Sequence, residues 1–275
     1  MAKKKKQPLR FAQVVTRLFD GVRTYGWVVI ALVVGLLAIS ALSAREASLV
    51  RTVAPVIKPL PEGAALVTEE ELLDRLAASF TKPLGELTLA DIDVKRVEAV
   101  LEGQAFVADA DAYVDDDLQL NISVTQRIPL LRVMAENGQD YYLDEDGVRM
   151  PLSESYTARV PVASGHVILW SDDFMEREDN QLRDLVALAR YLRTDEFLNA
   201  LVEQVYVNNN GELVLAPKVG DQVIYLGRYH ETKSRERLER LKVFYREGLP
   251  YEGWRKYKSF DLRFADQVIA KKKNP

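Results

Sequence analysis

The sequence predicts an α+β chain: a single transmembrane helix, then a βααββ module, then a mixed, mainly antiparallel β domain with two helices. Three observations predict it. An uncharged apolar run, Gly26 to Leu42, lies near the N-terminus; strand and helix signals alternate between residues 45 and 126; and a meander of short strands follows from Arg127, interrupted by two helical stripes. The expected divisions are a basic tail at 1–24, the membrane helix at 25–44, the βααββ module at 45–126, the β domain at 127–270 and a basic tail at 271–275. A chain of 275 residues is too long for one minimal domain and suits two small ones plus an anchor.

Composition narrows the function classes. With 48% hydrophobic and 28% charged residues the chain resembles ordinary globular protein, so most of it is expected to fold. The net charge of -4 hides an asymmetry, because the leader is strongly basic and the remainder carries the acidic excess. Cysteine is absent, which excludes disulfides, thiol nucleophiles and cysteine-ligated zinc. An oxidising compartment stays open, since domains of this size need no disulfide.

With Tyr25 and Ser43–Ala44 at its edges, the apolar run approaches the roughly 20 residues that a bilayer requires. Tyr25 and Trp27 stand where an aromatic belt would lie. Lys3 to Lys6, Arg10, Arg17 and Arg23 precede the run, and the positive-inside rule assigns them to the cytoplasm. The bulk of the chain is then expected outside the inner membrane. A cleaved signal peptide ending at Ala41-Leu42-Ser43 is the competing reading, but such apolar regions are typically about 7 to 15 residues. An uncharged run of this length is also rare in the core of a soluble protein.

In the βααββ module, Val50 to Lys58 is a β-branched stretch closed by Pro59 and Pro61. Thr68-Glu69-Glu70-Glu71 is a capping-box pattern, followed at helical spacing by Leu72, Leu73, Leu76 and Phe80. Asp93 caps a second helix with Val94, Val97, Val100 and Leu101 on one stripe, and Gly103 is expected to end it in the left-handed conformation. Ala108–Val114 and Leu118–Gln126 flank an Asp115-Asp116-Asp117 turn; the second arm alternates Leu118, Leu120, Ile122 and Val124 with polar residues, as in a strand buried on one face. The stretch Lys82 to Leu89 fits no element of this order.

In the β domain, strands are expected at Ile128–Met134, Asp140–Leu143, Val148–Met150, Val160–Ala163, Val202–Val207, Glu212–Leu215, Gln222–Leu226 and Ser259–Phe264. Glu136-Asn137-Gly138 and Asp144-Glu145-Asp146-Gly147 supply turns between the first of them. Helices are expected over Asn180–Thr194, with Leu182, Leu185, Val186, Ala189 and Leu192 inward, and over Thr232–Glu247, with Leu238, Leu241, Phe244 and Tyr245 inward.

The catalytic inventory is thin. His166 and His230 are the only histidines and are far apart, without the clustering a zinc site requires. The acidic runs at 115–117 and 144–146 lack the ligand spacing of a calcium loop. Ser153-Glu154-Ser155 and Ser164-Gly165-His166 lack a nucleophile-elbow context. Basic and aromatic residues mingle at Trp254-Arg255-Lys256-Tyr257-Lys258, but an exported segment has little reason to meet nucleic acid. The expectation is a non-catalytic binding protein with no cofactor, metal, nucleic acid or small-molecule substrate.

A module of this βααββ order beside a membrane anchor resembles a POTRA domain, a fold associated with peptide recognition and assembly. Four strings then occur in order. Val124-Thr125-Gln126-Arg127-Ile128-Pro129 resembles the V-x-(E/Q)-R-x-P junction of the FtsQ/DivIB family, and Tyr141-Tyr142-Leu143-Asp144-Glu145-Asp146-Gly147-Val148 resembles its following hairpin. Leu226-Gly227-Arg228 ahead of a helix with Arg240-Leu241, and the terminal Phe260-Asp261-Leu262-Arg263-Phe264, are similar to its later elements. The first strand departs from the family in lacking a compact V-x-V-x-G pattern.

This resemblance implies a division scaffold at the septum that pairs FtsB with the end of the β domain, FtsL accompanying it. An exposed edge strand offers unpaired backbone groups to which a partner strand can add. The positions it implies for partner binding are Phe264, Asp266, Gln267 and Val268, with Phe260 and Leu262 on the inner face. Phe264 reads equally as contact or core, and Lys271 to Lys273 either guard the edge or form a solvated tail. The rival readings are an anchored POTRA protein of secretion or envelope assembly and a tethered peptidoglycan enzyme.

Overall fold

The computed structural model describes residues 10–52, 54–61, 63–153 and 156–273. Lys3 to Lys6 and Glu154–Ser155 lie outside the described residues. Helix α1 (Arg10–Glu46) contains the apolar run. Its segment Gly26–Glu46 is long and apolar enough to cross a membrane, and none of its apolar window is buried against the rest of the chain.

The first module contains β1 (Arg51–Thr52), β2 (Val56–Lys58), α2 (Glu69–Ser79), α3 (Val94–Glu102), β3 (Val107–Val114) and β4 (Gln119–Gln126). The single strand expected at 50–58 is two short pieces. Both run parallel to β4, Arg51 opposite Gln119 and Val56 opposite Ser123, while Pro55 between them has no N–H to offer a ladder. Strand β3 pairs antiparallel with the other side of β4. Helices α2 and α3 cover one face, packing Leu72, Leu76, Val97 and Leu101 on Val107, Leu120, Ile122 and Val124.

The Thr68 capping box forms as expected: Glu71 N–H donates to Thr68 Oγ1 at 3.2 Å and Thr68 N–H to Glu71 Oε2 at 2.8 Å. Gly103 does not take the left-handed conformation; its φ is -66° and ψ -8°. The end of α3 instead tightens, with Gln104 N–H donating to Leu101 O, so no positive φ is needed. Asp115 holds the acidic turn by accepting from the N–H groups of Asp117 and Gln119, and the Gln119 bond chiefly keeps its carboxyl below the usual range.

The second module follows as β5 (Leu131–Ala135), β6 (Asp140–Leu143), β7 (Arg149–Met150), β8 (Val162–Gly165), α4 (Gln181–Thr194), α5 (Glu196–Leu201), β9 (Val202–Val207), β10 (Leu213–Pro217) and β11 (Val223–Gly227). It ends with α6 (Glu231–Val243), a π-helical turn at Phe244–Gly248, α7 (Leu249–Glu252), β12 (Tyr257–Asp261) and β13 (Ile269–Lys272). The nine strands form one sheet in the order β13-β12-β11-β10-β9-β8-β5-β6-β7. The β5–β8, β8–β9 and β11–β12 pairs are parallel and the others antiparallel. Alternate residues such as Leu131, Val133, Val205, Leu215, Ile224 and Phe260 join Leu185, Leu192, Leu238 and Tyr245 of the helices in one core.

Two adjacent residues shape the seam between the modules. The buried Gln126 side chain accepts from Leu66 N–H at 2.6 Å and donates to Lys58 O at 2.9 Å, closing the first module. Arg127 then reaches both ways: Nη2 donates to Val107 O at 3.0 Å, and Nη1 donates to Asp144 Oδ2 at 2.8 Å. Asp144 is buried, and its Oδ1 accepts from Asp146 and Val148 N–H, so one carboxylate shapes the β6–β7 turn and holds the seam. Removing one partner of such a pair strands the other charge. Arg127→Met should therefore lower the unfolding free energy by about 3 kcal/mol, measured by denaturant titration of the detergent-solubilised chain; an unchanged midpoint would contradict this role.

Candidate functional site

A sheet of this kind ends in two edges, and they differ. At one end β7 is two residues long and runs into Pro151, which cannot donate to a ladder. At the other, β13 pairs with β12 on its inner side, Ala270 opposite Phe260 and Ile269 opposite Asp261, and among the described residues no strand lies beyond it. The strand expected at Ser259–Phe264 is thus not the edge; it stops at Asp261 and β13 lies outside it. Lys271 and Lys272, expected in a tail, are ladder residues, while Lys273 Nζ meets Asp221 at 2.6 Å.

The reason β12 stops is visible in its polar contacts. Leu262 N–H donates to Tyr225 O at 2.9 Å. Arg263 folds back on Asp261 through Nε and Nη2, reaches Glu212 at 3.4 Å, and lies over the Tyr225 ring. That guanidinium holds the Asp261 carboxyl below the usual range. From α6, Arg237 donates to Leu226 O and Arg263 O, and Arg240 Nη2 donates to Phe264 O at 3.3 Å. These arginines pin the backbone from which the four expected binding residues extend.

Phe264, Asp266, Gln267 and Val268 all fall in the β12–β13 connection. Phe264 is 47% exposed, whereas Phe260 and Leu262 are fully buried. Asp266 takes a left-handed φ of 57°, as a short polar side chain can at a turn. Val268 is partly buried against the core, so it is not a free contact. Asp266, Gln267 and Val268 form one wall of a groove of about 570 Å³, and Glu239, Arg240, Val243 and Glu247 of α6 and the π-turn form the other. Half-exposed Val243 and Ile269 add apolar surface nearby. The α6 wall and β13 were missed from the sequence; the Val268-Ile269-Ala270 run was the one local signal for the strand.

The residues considered for chemistry lie elsewhere. His166 Nδ1 meets Glu136 at 2.5 Å, and His230 is exposed at the start of α6. Among the described residues no group of three or more His, Asp or Glu side chains could hold a metal ion. Burial pushes the Asp184 carboxyl up to about 6, in a groove between α4 and the start of α6 that also holds Arg183, Arg190 and Tyr229.

An apolar helix of membrane-crossing length, a small α/β module and a nine-stranded mixed sheet with an exposed edge strand define an α+β chain that carries an N-terminal apolar helix. The chain belongs to the FtsQ/DivIB, C-terminal related family, whose model matches residues 128–271, just over half of its length. It is similar to the cell division protein FtsQ of Rhodothermus marinus, 27% identical over 155 residues that make up 55% of each chain. The match thus spans about half the length of that curated relative.

The contrast between two aromatic residues in this hairpin is directly measurable. Phe260→Ala should cost roughly 3 to 5 kcal/mol of stability and Phe264→Ala about 0.5 or less, by thermal or denaturant unfolding. Equal losses would place Phe264 in the core.

Proposed function

We propose that this chain is a non-catalytic division scaffold that captures FtsB, with FtsL, by strand addition at the β13 edge. The observation that supports it most is that edge itself: an exposed terminal strand beside a groove, in a chain of the FtsQ/DivIB family. Main-chain pairing gives affinity without chemistry, and alternate side chains give selectivity.

The direction of the free backbone groups follows from strand alternation. Lys273 N–H donates inward to Lys256 O at 2.8 Å, so Ala270 and Lys272 turn theirs outward. A partner strand laid on β13 would bond to those two, and its flanking segment would meet Phe264 and the groove lined by Asp266, Gln267 and Val268. Exposed lysines at 271 and 272 discourage indiscriminate pairing and favour an acidic partner.

In this reading α1 anchors the chain in the inner membrane at the division site, with the basic N-terminus cytoplasmic and both modules periplasmic. Residues 45–126 act as a POTRA-like recruitment module and 127–270 as the partner-binding domain, so the chain links early and late septal proteins.

Lys272→Pro and Phe264→Asp should each reduce FtsB capture at least tenfold in a pull-down with the full chain, while the melting temperature stays within about 2 °C, since neither side chain is buried. Undiminished capture by both variants would remove β13 and its hairpin from the binding site.

A further inference from the structure

The passage from helix to first module has almost no slack. Only Ala47, Ser48 and Leu49 separate the end of α1 from the buried Val50. Ala47 and Ser48 are still tied to the helix, through Ser43 O and Arg45 O. The stretch Lys82 to Leu89, which fits no element of the βααββ order, folds together with Ala90 and Asp91 as two 3-10 turns against this passage. Leu89 N–H donates to Ser48 O at 3.0 Å, Val50 N–H donates to Leu87 O at 2.8 Å, and Leu49 bridges to Thr88. Asp91 locks the turns by accepting from Thr88 N–H, Thr88 Oγ1 and Lys82 Nζ, all within 2.9 Å. On another side Arg45 meets Asp116 of the β3–β4 turn at 3.3 Å.

Depth follows from length. A hydrocarbon core takes about 20 helical residues, so an apolar run opening at Gly26 reaches its boundary near Arg45. Leu49 is 61% exposed to its own protein, yet it stands within one short step of that boundary.

We propose that Leu49 and the 82–91 collar form a bilayer-contacting surface that seats the βααββ module in the headgroup layer of the membrane α1 crosses. Helix and module then move as one body. Glu86 and Asp115 to Asp117 on this side disfavour an anionic headgroup, so the contact rests on apolar insertion and holds on zwitterionic lipid. The inference relies on α1 spanning the membrane.

The chain has no native cysteine, and a Cβ added at Gly85, at the tip of the collar, meets nothing within 4 Å. A fluorophore on Gly85→Cys in the full chain, reconstituted in phosphatidylcholine vesicles, should be quenched by headgroup spin-labelled lipid at least threefold more than one on Val219→Cys. Val219 is 76% exposed on the β10–β11 turn. Six Gly/Ser residues inserted between Glu46 and Ala47 should bring the Gly85 signal down to the Val219 level. Release of the chain by carbonate would overturn the spanning reading and this inference together. In a carbonate-resistant chain, equal quenching at the two sites, or a Gly85 signal indifferent to the insertion, would overturn the inference alone.

Discussion

The Arg127–Asp144 ion pair is the contact on which the arrangement of the two modules depends. Arg127 follows the last strand of the first module, and its guanidinium is shared between that module's Val107 carbonyl and the buried Asp144 of the second. Asp144 in turn fixes the β6–β7 turn by accepting two backbone N–H groups. A buried carboxylate satisfied in this way is costly to disturb, because every replacement leaves a donor or a charge without its partner. Arg127 lies in the junction string and Asp144 in the hairpin string of the family resemblance, so two motifs separated in sequence are the two halves of one interaction.

With the modules fixed, the two ends of the sheet differ. The β7 end lies near the seam and is closed by shortness and Pro151; the β13 end is open. The open end is held in shape by arginine side chains that bond to neighbouring groups of the hairpin itself. Arg263 is folded onto Asp261, and Arg237 and Arg240 of α6 grip the carbonyls of the turn. Under the proposed strand addition a rigid neighbour matters, since a fraying edge would have to be ordered at the moment of binding. The Phe244, Tyr245, Tyr257 and Phe260 rings, packed edge to face or tilted with centroids 5.2 to 6.2 Å apart, supply that rigidity behind β12.

Local signals carried far, and they failed where a tertiary contact decided the outcome. Strands β6 and β9 occupy the residues their patterns indicate, and α2 and α4 begin at the caps Thr68 and Asn180. Strand β13 was not legible, because Ile269 to Lys272 is short and lysine-rich, and its β structure comes from pairing with β12 rather than from its own composition. Phe264 continues the spacing of Phe260 and Leu262, which suggests burial, but the strand ends at Asp261 and the alternation ends with it. The groove joins residues 239–248 to 266–268, and no periodicity in the sequence links those segments. The four residues expected at the binding site do lie together in one connection, while the opposite wall required the fold.

The most direct test of the account is cell length in the native host after depletion of this chain, with rescue by the unaltered chain and by Phe264→Asp. The account predicts filaments holding replicated, undivided chromosomes, rescued by the former and not the latter. Normal cell length on depletion would contradict it.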